Sequence, residues 1–197
     1  MPKSFPDILP NHLLFHFGGP DGEISASLRY LSQRYSMTNR VAAATLTDIG
    51  TEELAHMEMV ATIIHQLTRD LSMEEIEKSG FGPYYIDHTI ALWPQAAGGV
   101  PNNACEYQSK GDPITDLHED MAAEQKARST YDNILRVVRD IPEVADPIKF
   151  LRAREVVHFQ RFGEALQHIQ EELDAKNFYA FNPDFDMPCM ETCRNCK

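Results

Sequence analysis

No stretch of this chain approaches the ~20 consecutive apolar residues that a membrane-spanning helix needs. The opening residues, Met1-Pro2-Lys3-Ser4-Phe5-Pro6, lack the apolar core of a signal peptide. Neither a membrane span nor export is expected, and synthesis in the cytoplasm is. Basic residues are also scarce: 18 Lys and Arg stand against 30 Asp and Glu, a formal charge of −12. A nucleic-acid surface needs basic clusters, so that class of partner is excluded as well. Cysteine is limited to Cys105 and a late group of Cys189, Cys193 and Cys196. The C-x3-C-x2-C spacing has no fourth ligand nearby, which argues against a closed zinc site within one chain. These thiols read either as a mobile reduced tail or as points of cross-linking between chains.

What the chain does have is a doubled pattern of carboxylate and histidine. Glu23 is followed by Glu53-Leu54-Ala55-His56, and Glu124 is followed by Glu155-Val156-Val157-His158. One Glu and then a Glu-x-x-His from each half is the ligand set of a dinuclear metal site inside a four-helix bundle. Glu-x-x-His is a common string, so its position on the helix is what matters. Leu46, Ile49, Glu53, His56, Val60, Ile63 and Leu67 recur in alternating steps of three and four. So do Ile148, Leu151, Glu155, His158, Phe162, Ala165 and Ile169, and so do Leu117, Met121, Glu124, Arg128, Tyr131, Leu135 and Val138. These are core-facing stripes, and the ionisable residues lie within them. Buried unpaired carboxylates are costly and raise one another's pKa values. Two divalent cations would satisfy them; a metal-free ion network using Arg128 is the alternative. The first bundle helix is less regular: its apolar stripe is Ile24, Leu28, Leu31 and Tyr35, with Glu23 at the edge. Small Ala26 and Ser27 leave room near the site. Tyr30, two turns on, reads either as a hydrogen-bond donor to a ligand carboxylate or as an ordinary core tyrosine.

The fold class expected is all-α, a ferritin-like four-helix bundle with a long mid-chain crossover. The 197 residues suit one domain: an extended arm over 1–20, a bundle over 21–174 and a tail over 175–197. Helices are expected over 21–35, 39–70 and 112–140, and from Pro142 to about Asp174. Ser72-Met73-Glu74-Glu75 reads as a capping box. Asp112 caps the third bundle helix, and Pro113 suits its first turn. The loop from Phe81 to Gly111 is long enough to be functional or to lie across a neighbour. Trp93 and the Phe81–Tyr85 cluster are expected to pack it. His12, His16, His65, His88, His118 and His168 lie off the stripes or in loops and read as surface or packing residues.

Carboxylate and imidazole donors together suit manganese, iron or zinc. Two such metals can exchange two electrons at once, which matches the redox steps of hydrogen peroxide. A nearby carboxylate not used as a ligand could accept protons. The residue pattern alone leaves a peroxide dismutase and a di-iron oxidase or peroxidase both open.

Four separated segments, spread over roughly residues 16–172, resemble the manganese catalases. They are Gly18-Gly19-Pro20-Asp21-Gly22-Glu23 with Tyr30-Leu31-Ser32-Gln33; Asp48-Ile49-Gly50-Thr51-Glu52-Glu53-Leu54-Ala55-His56-Met57-Glu58-Met59; Ala123-Glu124 with Arg128; and Ala153-Arg154-Glu155-Val156-Val157-His158. The run from Gly111 to Asp120 is also similar. The resemblance implies that Glu23 and His56 bind one manganese, Glu124 and His158 the other, and that Glu53 bridges both. It makes Glu155 a proton-relaying carboxylate rather than a ligand, and it places Tyr30 beside the site. Some members carry an arginine immediately before the third-helix Glu; here that residue is Ala123. The implied activity is conversion of hydrogen peroxide to water and dioxygen by a homo-oligomer, a hexamer in the family. The short region after the fourth helix resembles the spore-coat subgroup, which implies deposition in a spore coat beside other coat proteins. Two irons, or a coat protein of little activity, are the alternatives.

Overall fold

The computed structural model describes residues 10–78, 82, 92–96 and 99–175. The late cysteines and the Phe81 and Pro83–Tyr85 part of the crossover lie outside the described residues. The chain forms α1 (Pro10–Gly18), α2 (Glu23–Gln33), α3 (Arg40–Thr68), α4 (Met73–Lys78), the two-stranded hairpin β1 (Gln95–Ala96) and β2 (Val100–Pro101), α5 (Pro113–Val138) and α6 (Pro142–Ala175). Helices α2, α3, α5 and α6 make the bundle, with α2 packed on α3, α5 on α6, and α3 on α6.

The capping signals act as the sequence implies. Asn39 Oδ1 accepts from the amides of Val41 and Ala42 at the start of α3. Asp112 Oδ1 accepts from Thr115 N at 2.8 Å to start α5. Ser72 and Glu75 form the reciprocal box that opens α4.

Helix directions follow from where each stripe meets the core. The apolar core is divided into two clusters. One contains Val60, Ile63, Tyr131, Ile134, Ile148 and Leu151. The other contains Tyr30, Leu46, Ile49, Leu117, Phe162 and Ala165. Along α3 and α5 the chain passes from the second cluster to the first; along α6 it passes the opposite way. Helices α3 and α5 therefore run the same way, and the chain must traverse the bundle's length to join them. The crossover holding α4 and the hairpin does this, as the ferritin-like arrangement requires. Between the two clusters lies a polar layer, to which all four helices contribute residues.

Two sequence expectations are corrected. Residues 10–18 are not an extended arm but a helix, α1. Pro10 is tolerated at the start of a helix, and Leu13 and Phe17, one turn apart, are buried in the first cluster. The buried face of α2 is also not its apolar stripe. Glu23, Ser25, Ser27, Arg29, Tyr30 and Gln33 turn inward, while Leu28 and Tyr35 are exposed, at 42% and 80%. The polar layer sets this rotation, because α2 must deliver Glu23 and Tyr30 to it. Helix α2 lies close against α3 at Gly50. A Cβ there would come within 2.9 Å of Leu31 Cγ, and Ser27 Oγ donates to the Gly50 carbonyl at 2.6 Å. Trp93 is 49% exposed.

Candidate metal centre

The polar layer is centred on Glu53. Its Oε2 lies 2.8 Å from His56 Nδ1 and its Oε1 lies 2.7 Å from His158 Nδ1. On one side Glu23 Oε2 is 3.8 Å from His56 Nδ1; on the other Glu124 Oε2 is 3.4 Å from His158 Nδ1. Glu155 Oε1 is 3.7 Å from His56 Nδ1. The imidazoles stack with centroids 5.3 Å apart. None of these six residues is more than 3% exposed. One donor atom from each of Glu53, His56, Glu155 and His158 fits within a 4.8 Å span. The structure thus brings Glu23, Glu53, His56, Glu124, Glu155, His158 and Tyr30 to one place. It puts Glu155 among the possible donors as well as beside them.

Tyr30 is more than core filling: its hydroxyl donates to Glu124 Oε1. Tyr131, counted in the sequence only as a stripe residue, donates to Glu23 Oε1. A repeated signal could have found it, because each tyrosine follows a ligand-type Glu of its own helix by seven positions. His16, read as a surface or packing residue, is buried. It stacks on Tyr131 with centroids 4.4 Å apart, and its Nδ1 lies 3.9 Å from Glu23 Oε1.

Glu52 is the other residue that the stripes concealed, since it sits one position off the seam. Its Oε1 is 3.5 Å from His56 Nε2 and its Oε2 is 3.2 Å from His158 Nε2. Arg154 grips the same carboxylate from α6, Nε to Oε1 at 2.6 Å and Nη2 to Oε2 at 3.0 Å. One carboxylate therefore faces the outer nitrogen of both rings and leaves both Nδ1 atoms turned toward the layer's centre. Burial alone would raise Glu52, but the hydrogen bonds from Arg154 and the nearby His158 ring draw it down to about 2.

Burial is the largest influence on the inner carboxyls. It pushes Glu23, Glu53 and Glu155 above their ordinary range, and neighbouring carboxylates add to the rise. Burial opposes ionisation of Glu124 too, yet contact with His158 draws it below its ordinary value. Burial would lower His158, but Glu124 and Glu53 hold it up to about 11. Burial drives His56 down. Without cations the layer thus holds a protonated His158 between two carboxyls, among groups that resist charging.

The ion network through Arg128 is not formed. Arg128 Nη1 binds Asp132 at 2.6 Å and its Nε binds Gln125 at 2.8 Å, on the half-exposed flank of α5. Buried Ala127 occupies the inward position at that turn. Among the described residues both oxygens of Glu53, Glu124 Oε2, Glu155 Oε1 and both nitrogens of His56 and His158 have no hydrogen-bond partner. Each buried ion costs several kcal/mol after relaxation, against a total stability of ~5–15 kcal/mol for a domain. The protein alone does not satisfy this layer. Four carboxylates (Glu23, Glu53, Glu124 and Glu155) match two divalent cations in charge, and oxygen–imidazole donors suit manganese. The donor set fits a dinuclear centre.

Fold and site together define a helical-bundle protein built around two metal ions. The sequence profile described as manganese containing catalase matches residues 3–188, and the chain belongs to that family. It is 47% identical over 171 residues to protein CotJC of Bacillus subtilis (strain 168), covering 87% of this chain and 89% of that one. It is 34% identical to a probable manganese catalase of Clostridium acetobutylicum, covering 82% and 71%. Among solved structures it is similar to wild-type KatB, a manganese catalase from Anabaena. That match has a TM-score of 0.73 at 30% identity, over 85% of this chain and 73% of that one. No described helix is long and apolar enough to cross a membrane.

Proposed function

We propose that this chain is a dimanganese catalase, converting two molecules of hydrogen peroxide to two of water and one of dioxygen. The observation that carries the reading is the set of buried, partnerless carboxylate and imidazole donors around Glu53, in a chain of the manganese-containing catalase family. Glu23 and His56 would hold one ion, Glu124 and His158 the other, and Glu53 both. Bound manganese supplies a two-electron redox couple matched to peroxide. The protein supplies placement and protons. Tyr30 and Tyr131 fix the outer carboxylates by hydrogen bonds, and burial keeps both phenols protonated, and so donating, at neutral pH. Glu52 and Arg154 orient the two imidazoles. Glu155 Oε1 has no hydrogen-bond partner among the described residues, and as a carboxyl not needed to hold an ion it would exchange protons with peroxide. The test is dioxygen release from peroxide by purified protein, with metal content measured on the same sample. Rapid release with about two manganese per chain is expected from the two-metal geometry. Two irons with little dioxygen would overturn the reading.

The similarity to CotJC over nearly all of that protein supports deposition in a spore coat. Fractionation that leaves the protein wholly in the mother-cell cytosol would sink this. The outward side chains of Leu28 in α2 and Tyr35 just beyond it support a homo-oligomer, with the hexamer as the family's expectation. Light scattering on the purified protein decides it.

A further inference from the structure

Beside the centre, between α2 and α5, lies a narrow cavity, which we take as the way in. Its volume is about 10 Å³, and Asp21, Arg29, Tyr30, Ala123, Glu124 and Ala127 are among its walls. That is roughly the room one water needs. The passage adjoins a surface cavity of about 590 Å³, which shares Asp21 and Ala127 with it and is also lined by Lys126. On the α5 side the walls are the methyl groups of Ala123 and Ala127. Arg29, from α2, is the cation in the wall of the narrow part.

Arg29 is an unusual residue to find there. It is 3% exposed and faces the wholly buried Asp120, with Nε 3.5 Å from Oδ1. Its Nη2 donates to Tyr30 Oη at 3.4 Å, and Tyr30 in turn donates to Glu124. Burial would lower its pKa, but Tyr30, Asp120 and Glu124 raise it, so it keeps its charge. Arg29 Nε and both Asp120 oxygens lack a hydrogen-bond partner among the described residues. A buried ion pair is at best weakly stabilising, and this one is not hydrogen-bonded. Stability alone does not explain it. Its placement puts a fixed positive charge, with donor capacity to spare, at the last step before the metal carboxylates.

We propose that Arg29 is the anion-receiving residue of the passage. Its guanidinium draws hydroperoxide, or a small anion of like size such as azide, to the centre, while Asp120 and Tyr30 hold it in position. Four surrounding carboxyls would otherwise repel an anion. The guanidinium offsets this locally and gives up N–H donors to the incoming oxygen or nitrogen. The inference deepens the catalase reading and takes its substrate from it.

The experiment titrates azide into manganese-loaded protein, following the visible spectrum of the oxidised form, and measures kcat and KM for peroxide alongside. Arg29→Gln is expected to weaken azide binding about tenfold, the worth of one charge-assisted hydrogen bond. It should raise KM by a similar factor while kcat changes far less. Arg29→Lys should recover most of both. Removing one partner of a buried pair can unfold a protein, whereas neutralising both is tolerated. Asp120→Asn is therefore compared with the double variant Arg29→Gln/Asp120→Asn, which differ only at Arg29. A smaller gap in the same direction is expected between them, because Tyr30 still contacts Arg29 when Asp120 is replaced. Equal azide affinity and equal KM across either comparison, at equal manganese content, would overturn the proposal. Wild-type protein that takes up manganese and binds azide but releases no dioxygen defeats the catalase reading while leaving Arg29 decided by the titration. Wild-type protein that takes up no manganese overturns both.

Discussion

Tyr131 of α5 donates its hydroxyl hydrogen to the carboxylate of Glu23 on α2. The reverse bond runs from Tyr30 of α2 to Glu124 of α5. The two helices thus exchange one tyrosine each for the other's carboxylate. Replacing Tyr131 by Phe leaves a buried oxygen without its donor, at a cost of about 1–3 kcal/mol. The expected result is a lowered thermal midpoint with reduced manganese occupancy, read by calorimetry and metal analysis. Tyr131→Phe protein with unchanged midpoint and occupancy would show that the bond contributes nothing.

Glu53 is the carboxylate that both imidazoles approach, at 2.8 and 2.7 Å. Glu53→Ala removes the group that spans the two metal positions. Manganese should fall below two per chain, and dioxygen release should drop by at least about a hundredfold, beyond what an outer partner of a metal ligand costs. Normal activity in this variant would refute the ligand assignment.

Glu52 never reaches the centre of the layer, yet it faces both rings from outside. Glu52→Gln keeps its shape and removes its charge. Manganese affinity should weaken about 10- to 100-fold, the usual effect of altering a ligand's outer partner. Secondary structure should be unchanged by circular dichroism. Retention of full affinity would leave Glu52 as a mere surface partner of Arg154.

Metal uptake should depend on pH with a definite sign. In the metal-free protein His158 is held up to about 11, above the ordinary ~6.5. Its contribution to metal-free stability is complete below about pH 6.5 and is lost as pH rises through about 11. Manganese requires the neutral ring, so loading expels that proton, and affinity should rise with pH by up to about tenfold per unit for each proton released. Calorimetry in buffers of different ionisation enthalpy counts the protons. Uptake without proton release would contradict the arrangement described.

Helices α3 and α6 could be read from sequence almost in full, because their stripes are regular and each ionisable residue falls on the repeat. Leu46, Ile49, Glu53, His56, Val60 and Ile63 are all buried, as are Ile148 through Ile169 of the α6 stripe. Helix α2 could not be read this way. Its inward face is polar, so an argument from apolar periodicity turned it the wrong way round. Helix α5 was misjudged at three positions: the stripe put Met121, Arg128 and Leu135 inward, but Asp120, Ala127 and Ile134 are the buried residues; at the middle one a methyl group suits the interior, and the Arg128 guanidinium turned out to Asp132. Tyr131 was marked only by its spacing of seven from Glu124, and Glu52 and Arg29 were not legible as site residues because their roles come from contacts between helices. Sequence spacing on one helix carries no record of those contacts.

Glu52 presents one oxygen to His56 and the other to His158, and a planar carboxylate cannot rotate toward one without turning from the other. The two metal positions should therefore not fill independently, since Glu52, held by Arg154, would face both imidazoles that hold the ions. Manganese uptake should be steep, with little half-loaded protein at equilibrium, and the centre should also empty as a pair.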